Sequence, residues 1–262
     1  MTRENNTPLL EIQNLSVGYK VGQSLVPIVH NVSFDVQKSQ CVGLVGESGS
    51  GKSTIGKAIL KLAGVSTGQV LWKGQDVLGA PSKDWKALRR QMQIIFQDPF
   101  SSLNPRLTIG STLREALSMS AEAQGQNSAW YQKQLAEVLN SVGLAKNAES
   151  KYPHEFSGGQ CQRIGIARAL SVRPEFIVCD EVVSALDVSV QAQILNLLKD
   201  LQQEFKLSYL FITHDLGVVR YLCDLVVVLK KGQIAESNLT EELFNLPQSE
   251  YTQQLLSAVP RV

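Results

Sequence analysis

Gly46-Glu47-Ser48-Gly49-Ser50-Gly51-Lys52-Ser53 is the stretch on which the fold turns. It fits the pattern G-x-x-x-x-G-K-[ST], and its neighbours supply the setting that this pattern requires. Before it, Cys41–Val45 is a short apolar run that predicts a buried strand. After it, residues 52–63 place Ile55, Ile59 and Leu62 at helical spacing on one face. A strand, a glycine-rich turn and a helix in that order bring backbone N–H groups and the positive end of a helix dipole to one point. That arrangement binds phosphate. The glycines let the backbone curl around the oxygens, Lys52 can reach β- and γ-phosphates, and the Ser53 hydroxyl can ligate Mg²⁺. Thr54 stands beside them in the first helical turn.

Residues 176–179 predict a second buried strand, and it ends in Asp180 and Glu181. Two acids there reach the carboxyl edge of the sheet, where ligands of open α/β folds bind. Asp180 is expected to hold Mg²⁺ through its water shell, and Glu181 to orient or deprotonate an attacking water. Residues 209–213 read as another strand, and Val188–Phe205 between the two as an amphipathic helix with Ile194, Leu197, Leu198 and Leu201 inward. Strands separated by helices imply parallel pairing. The opening third carries strand patterns at 9–17, 28–36 and 69–72, bounded by turn formers. Residues 108–142 carry helical spacings, including Leu135, Val138, Leu139 and Val142. Lys231-Gly232, between the apolar runs 225–229 and 233–235, predicts a hairpin. The expected fold is α/β: a P-loop nucleotide-binding core with an antiparallel β portion and a helical insertion subdomain. The whole chain, 1–262, reads as one domain, with the insertion at about 101–157 and a short C-terminal extension at about 238–262.

Composition narrows the function classes. The 262 residues suffice for a sizeable core, and 44% hydrophobic against 19% charged residues excludes a largely disordered chain. Twenty-five Lys and Arg against 24 Asp and Glu leave a net charge of +1, which lacks the basic footprint of a dedicated nucleic-acid binder. No apolar run approaches the roughly 20 residues that span a bilayer. The polar residues 1–8 show no signal-peptide core. Cys41, Cys161, Cys179 and Cys223 are scattered without a C-x-x-C pair, so isolated reduced thiols are expected rather than a disulfide framework or metal site. Lys83, Lys86, Arg89 and Arg90 read first as a solvated basic helix face.

Phe156-Ser157-Gly158-Gly159-Gln160 stands between the phosphate loop and Asp180, at the start of a helix expected to run through Leu170. With the two preceding motifs it resembles the ATP-binding cassette family, whose signature is usually Leu-Ser-Gly-Gly-Gln. Ser157 offers a hydroxyl, and Gly158 and Gly159 permit close backbone approach to phosphate at a helix start. The resemblance covers nearly the whole chain and implies further roles. Tyr19 matches the aromatic that stacks on adenine, and Gln97 the glutamine that contacts Mg²⁺ and the lytic water. Ser184-Ala185-Leu186-Asp187 matches the loop that communicates between two nucleotide sites, and His214 the switch histidine at the γ-phosphate. The family implies two cassettes head to tail, each ATP enclosed by one phosphate loop and by the other subunit's Ser157-Gly158-Gly159-Gln160.

Residues 96–106, Phe-Gln-Asp-Pro-Phe-Ser-Ser-Leu-Asn-Pro-Arg, resemble the oligopeptide, dipeptide and nickel importer branch, as do Tyr152-Pro153-His154 and the closing Tyr251 to Pro260. This branch implies two transmembrane permease subunits, a second ATPase subunit (a related chain or self) and an extracytoplasmic solute-binding protein. It also implies a peripheral location on the cytoplasmic face of the inner membrane. The chain departs from the pattern at Val182, where proline is common, at Cys161, at Asn238 and at Gln248-Ser249-Glu250. Cys223 is the only cysteine after Cys179, so no iron–sulfur cluster is expected. An exporter ATPase and a soluble, non-transport cassette are the alternatives. A regulatory cassette without hydrolysis fits poorly with intact Lys52, Asp180, Glu181 and His214.

Overall fold

A computed structural model describes residues 7–21 and 24–258, and its elements follow the predicted alternation of strands and helices. The chain opens with β1 (Leu10–Val21), β2 (Ser24–Val36), β3 (Cys41–Val45), α1 (Lys52–Ile59), β4 (Val65–Trp72), β5 (Gln75–Asp76) and α2 (Ser82–Gln91). The middle holds β6 (Met92–Ile95), α3 (Ile109–Ser118), α4 (Ser128–Ser141), α5 (Gly158–Leu170), β7 (Phe176–Asp180) and α6 (Val188–Phe205). It closes with β8 (Ser208–Ile212), α7 (Leu216–Leu222), β9 (Leu225–Lys230), β10 (Gln233–Leu239), α8 (Thr240–Asn245) and α9 (Glu250–Ser257). The chain divides into two compact units, Met1–Lys86 with Ser208–Val262, and Ala87–Leu207.

In the first unit, β2, β1, β4 and β5 neighbour one another in that order, antiparallel throughout. β1 buries Leu10, Ile12, Leu15 and Val17, and β2 buries Val32, Phe34 and Val36. β2 is the edge strand of that sheet, which explains how it starts earlier than its pattern suggested: an edge tolerates Pro27, a residue without an N–H. The second sheet of this unit runs β10-β9-β3-β8. β3 pairs parallel with β8 and β9, while β9 and β10 form the antiparallel hairpin expected at Lys231-Gly232. Every residue of β3 and β8 is buried, as a central parallel strand demands.

α1 stops at Ile59, four residues short of the expected end, and Leu62 is 53% exposed rather than on its inner face. The stop is a Schellman motif. Lys61 adopts φ 56°, Lys61 N–H donates to the Ala58 carbonyl at 3.0 Å and Leu62 N–H to the Lys57 carbonyl at 2.8 Å. A lysine holds the left-handed position usually marked by glycine, so the pattern carried no stop signal. The cysteines also differ from expectation: all four are reduced and buried, but Cys41 Sγ lies 3.5 Å from Cys223 Sγ. Parallel pairing of Val42 with Leu225 brings these distant residues together.

In the second unit, β6 and β7 pair in parallel, Met92 with Phe176 through Ile95 with Cys179. α3 and α4 begin at side-chain caps: Thr108 accepts from Ser111 N–H at 3.2 Å, and Asn127 accepts from Trp130 N–H at 3.0 Å. Leu113, Leu117, Leu135, Leu139 and Ile164 fill the core among α3, α4 and α5. α6 buries Ile194, Leu198 and Leu201 as its period predicts, with Leu195 rather than Leu197 as the fourth buried residue. Among the described residues, no helix is long and apolar enough to cross a membrane.

Candidate functional site

The phosphate loop leaves the carboxyl end of β3 in the first unit. Leu44 pairs with Ile212 and Val45 with Val228, and Thr213 N–H donates to the Leu44 carbonyl at 3.3 Å. His214 therefore leaves the neighbouring strand at the same sheet edge as the loop. It is exposed, and the next residue, Asp215, caps α7 by accepting from Gly217 and Val218 N–H groups at 2.8 and 3.2 Å.

Inside the loop, Gly46 is required by crowding: a Cβ there would stand 2.1 Å from the Leu229 carbonyl oxygen. Lys52 is only 4% exposed, and its Nζ donates to the Gly46 and Glu47 carbonyls, each at 2.8 Å. The Ser50 carbonyl accepts from Gly232 N–H at 2.9 Å, and the Gly232 carbonyl from His30 N–H at 2.8 Å, tying the loop to β2 and the hairpin turn. Glu47, Ser48 and Gly49 form the exposed tip. Gly51 is the N-cap of α1, left-handed at φ 105°, and no side chain caps the helix; Ser53 and Thr54 lie half-buried in its first turn. Among the described residues, Ser50 Oγ is buried without a hydrogen-bond partner. A buried hydroxyl orphaned beside an uncapped helix start and a buried ammonium fits a bound anion. Tyr19, near the end of β1 opposite Val26, is 43% exposed.

The second unit groups the acids and amides. Gln97 lies two residues past β6 and Asp180 ends the adjoining β7, so both occupy one carboxyl edge. Gln97 Nε2 donates to Ser184 Oγ at 3.3 Å, and that hydroxyl donates to the Glu181 carbonyl at 2.9 Å. Ser184 is thus the link between Gln97 and the Glu181 backbone. Asp180 is 7% exposed. Glu181 sits at φ 50°, a left-handed conformation that costs a non-glycine residue on the order of 1–3 kcal/mol and recurs at functional sites. Val182, in the usual proline position, is buried, so its side chain contributes packing there.

Ser157 is the N-cap of α5. Its hydroxyl accepts from Gln160 N–H at 3.4 Å, and the Gln160 carboxamide oxygen accepts from Ser157 N–H at 3.0 Å, a reciprocal capping box. Gly158 has ordinary clearance, but a Cβ on Gly159 would lie 2.4 Å from Val190 Cγ1. Gly159 is therefore demanded by α5–α6 packing, a role that its phosphate-loop appearance concealed. Asp187 caps α6: the Val190 N–H, at 3.0 Å, and then the Ser189 hydroxyl, at 2.7 Å, hold its carboxyl below the usual range. Cys161 donates to the Pro153 carbonyl at 3.4 Å, and burial pushes its thiol up to about 11. Arg168 binds the Ser102 carbonyl, fixing the 98–106 turns against α5.

Among the described residues no three His, Cys, Asp or Glu side chains form a metal cage.

An uncapped phosphate loop, acids at a parallel strand end and a capped Ser-Gly-Gly-Gln helix together define a nucleotide-binding cassette. The sequence profile described as ABC transporter matches residues 29–184. The chain belongs to the ABC transporter family. A Brucella ovis protein with the provisional name peptide import ATP-binding protein is 50% identical over 255 residues, covering 97% of this chain and 79% of that protein. The oligopeptide transport ATP-binding protein OppF of Bacillus subtilis is 47% identical over 253 residues, covering 96% and 82%. Among solved structures, the dimeric ATP-binding cassette MJ0796 in a post-hydrolysis state with ADP and Pi superposes at TM-score 0.79 with 28% identity, covering 88% of this chain and 98% of that one.

Proposed function

We propose that this chain is the ATP-binding and ATP-hydrolysing subunit of a peptide importer, coupling ATP-driven closure of two cassettes to motion of separate permease subunits. What carries this reading is the similarity, over 97% of the chain, to a protein named for peptide import, in a chain with a complete phosphate loop. The chain works as one cassette whose helical insertion, at about 101–157, faces the permease. Its C-terminal extension begins at about 238.

Tyr19 stacks on adenine, and residues 46–54 enclose the phosphates, with Lys52 against the β- and γ-phosphates. Mg²⁺, held by Ser53, Gln97 and Asp180 with water, would neutralise phosphate charge. Glu181 takes the proton of the attacking water, Gln97 orients that water and His214 donates to the γ-phosphate. Ser157, Gly158, Gly159 and Gln160 face the nucleotide of the opposing subunit, and Asp187 fixes the loop between the sites. Two transmembrane permeases, a second ATPase and an extracytoplasmic solute-binding protein complete the assembly, with this chain peripheral on the cytoplasmic face.

Co-purification with the membrane proteins encoded beside it, followed by reconstitution in vesicles, tests the reading. Peptide uptake should occur with ATP and not with a non-hydrolysable analogue, while nickel-chelate uptake measures the other solute class of the branch. Outward movement only, or a complex without a permease, would refute it.

A further inference from the structure

α9 carries a residue that the chemistry above leaves unused. Tyr251 is only 6% exposed, and its hydroxyl accepts a hydrogen bond from the Glu47 N–H at 3.3 Å, across 204 positions of sequence. The Glu47 N–H and the Gly46 carbonyl belong to one planar peptide group and point in opposite directions. Lys52 Nζ holds the carbonyl side at 2.8 Å. Tyr251 holds the amide side. One peptide plane of the phosphate loop is thus pinned from both ends.

The pinning residue is itself fixed. Lys230 Nζ lies 4.5 Å from the centre of the Tyr251 ring. The Glu236 carboxylate accepts from the Gln248 and Ser249 N–H groups at 2.9 and 3.0 Å, anchoring the start of α9 to β10. Thr252 beside Tyr251 is fully buried. Burial raises the phenol's pKa; the Glu47 N–H bond opposes that rise and the Glu47 carboxylate adds to it, so the group remains a hydroxyl near neutral pH.

We propose that Tyr251 is a positioning residue of the phosphate loop: its hydroxyl fixes the 46–47 peptide against Lys52, so that the C-terminal helix sets the loop's shape for a nucleoside triphosphate. The nucleotide half of this statement rests on the proposed ATPase function; the contact does not.

Tyr251→Phe in the full chain deletes the hydroxyl and keeps the ring under Lys230. ATP and ADP dissociation constants should rise about 2- to 10-fold, the scale of one neutral hydrogen bond. The KM for ATP should rise by the same factor, with kcat within about a factor of two. Hydrogen exchange at the Glu47 amide should accelerate while the melting temperature moves by less than about 2 °C. Unchanged affinity together with unchanged Glu47 exchange would overturn the proposal. So would faster exchange spread across the first unit with a large drop in melting temperature, because that describes packing alone. Wild-type protein that binds neither ATP nor ADP would defeat the proposed function instead. Faster Glu47 exchange in Tyr251→Phe would still support the latch in that case, and unchanged exchange would overturn it.

Discussion

Two glycine-rich loops open helices in this chain, and they finish them differently. At α1 the N-cap is Gly51, no side chain caps the helix, and Lys52 reaches back to two loop carbonyls. The positive end of the helix is offered to whatever the loop encloses. At α5, Ser157 and Gln160 satisfy each other's N–H groups. Accepting from Gln160 orients the Ser157 hydroxyl and leaves its O–H as a single donor. Similar compositions thus yield a cradle in one place and a pre-aimed donor in the other. On the proposed function, the cradle would hold the chain's own nucleotide and the donor would meet one brought by another subunit.

The largest expected effect separates the cradle from the chemistry. Glu181→Gln should leave ATP binding intact while slowing single-turnover hydrolysis by about 10²–10⁴-fold, the scale of lost general-base assistance. Unchanged single-turnover rates would remove Glu181 from that role and move attention to His214.

A mixed dimer sharpens the comparison further. Ser157→Arg in one subunit should depress turnover by about 10²–10³-fold at the site whose Lys52 belongs to the other subunit, as for loss of one preorganised donor. Loss confined to the same subunit's own loop would break the assignment of α5 to a partner's nucleotide.

The loops also differed in how openly the sequence announced them. The phosphate loop is local: its strand, glycines, Lys52 and Ser53 are contiguous, and each landed where its pattern predicted. The parallel strands and α6 were equally legible, because burial on both faces and a 3.6 period leave plain traces. The capping box was present as Ser-x-x-Gln, a readable signal overshadowed by the neighbouring glycines. Asp215 before α7 was a similar N-cap sign. Other features had no local trace. Lys61 ends α1 in a conformation that the sequence marks with no glycine, and Gly159 answers to Val190 on another helix. The pairs Cys41–Cys223 and Glu47–Tyr251 depend on register and docking between distant segments.

Gly159 gives a smaller and purely steric test. Gly159→Ala should destabilise the protein by about 1–3 kcal/mol, the usual cost of overpacking, measured by urea denaturation. Val190→Ala in the same chain should restore part of the loss. Additive losses in the double variant would contradict a clash at that contact.

The smallest effect is set by pH. Burial opposes ionisation of Glu236, but the Gln248 amide, the Thr252 hydroxyl and the Ser249 amide together hold its carboxyl below the ordinary range. A lowered folded-state value stabilises α9 docking above the ordinary carboxyl pKa of about 4.3, and that stability is lost as pH falls through the lowered value. The protection of the Glu47 amide, meaning its exchange relative to the intrinsic rate at each pH, should therefore stay constant down to the ordinary glutamate range and fall below it. Glu236→Gln should flatten this dependence; a wild-type profile retained in that variant would assign the transition to another group.

The contrast between cradle and donor is tested most directly by ATP affinity in the isolated chain, at concentrations too low for two cassettes to pair. Lys52→Ala removes a buried ammonium and its charge-assisted phosphate contacts, and binding should fall by about 10²-fold or more. Ser157→Arg should bind ATP within about a factor of two of wild type, because its hydroxyl serves a nucleotide held elsewhere. Equal loss in both variants, or none in Lys52→Ala, would contradict the account.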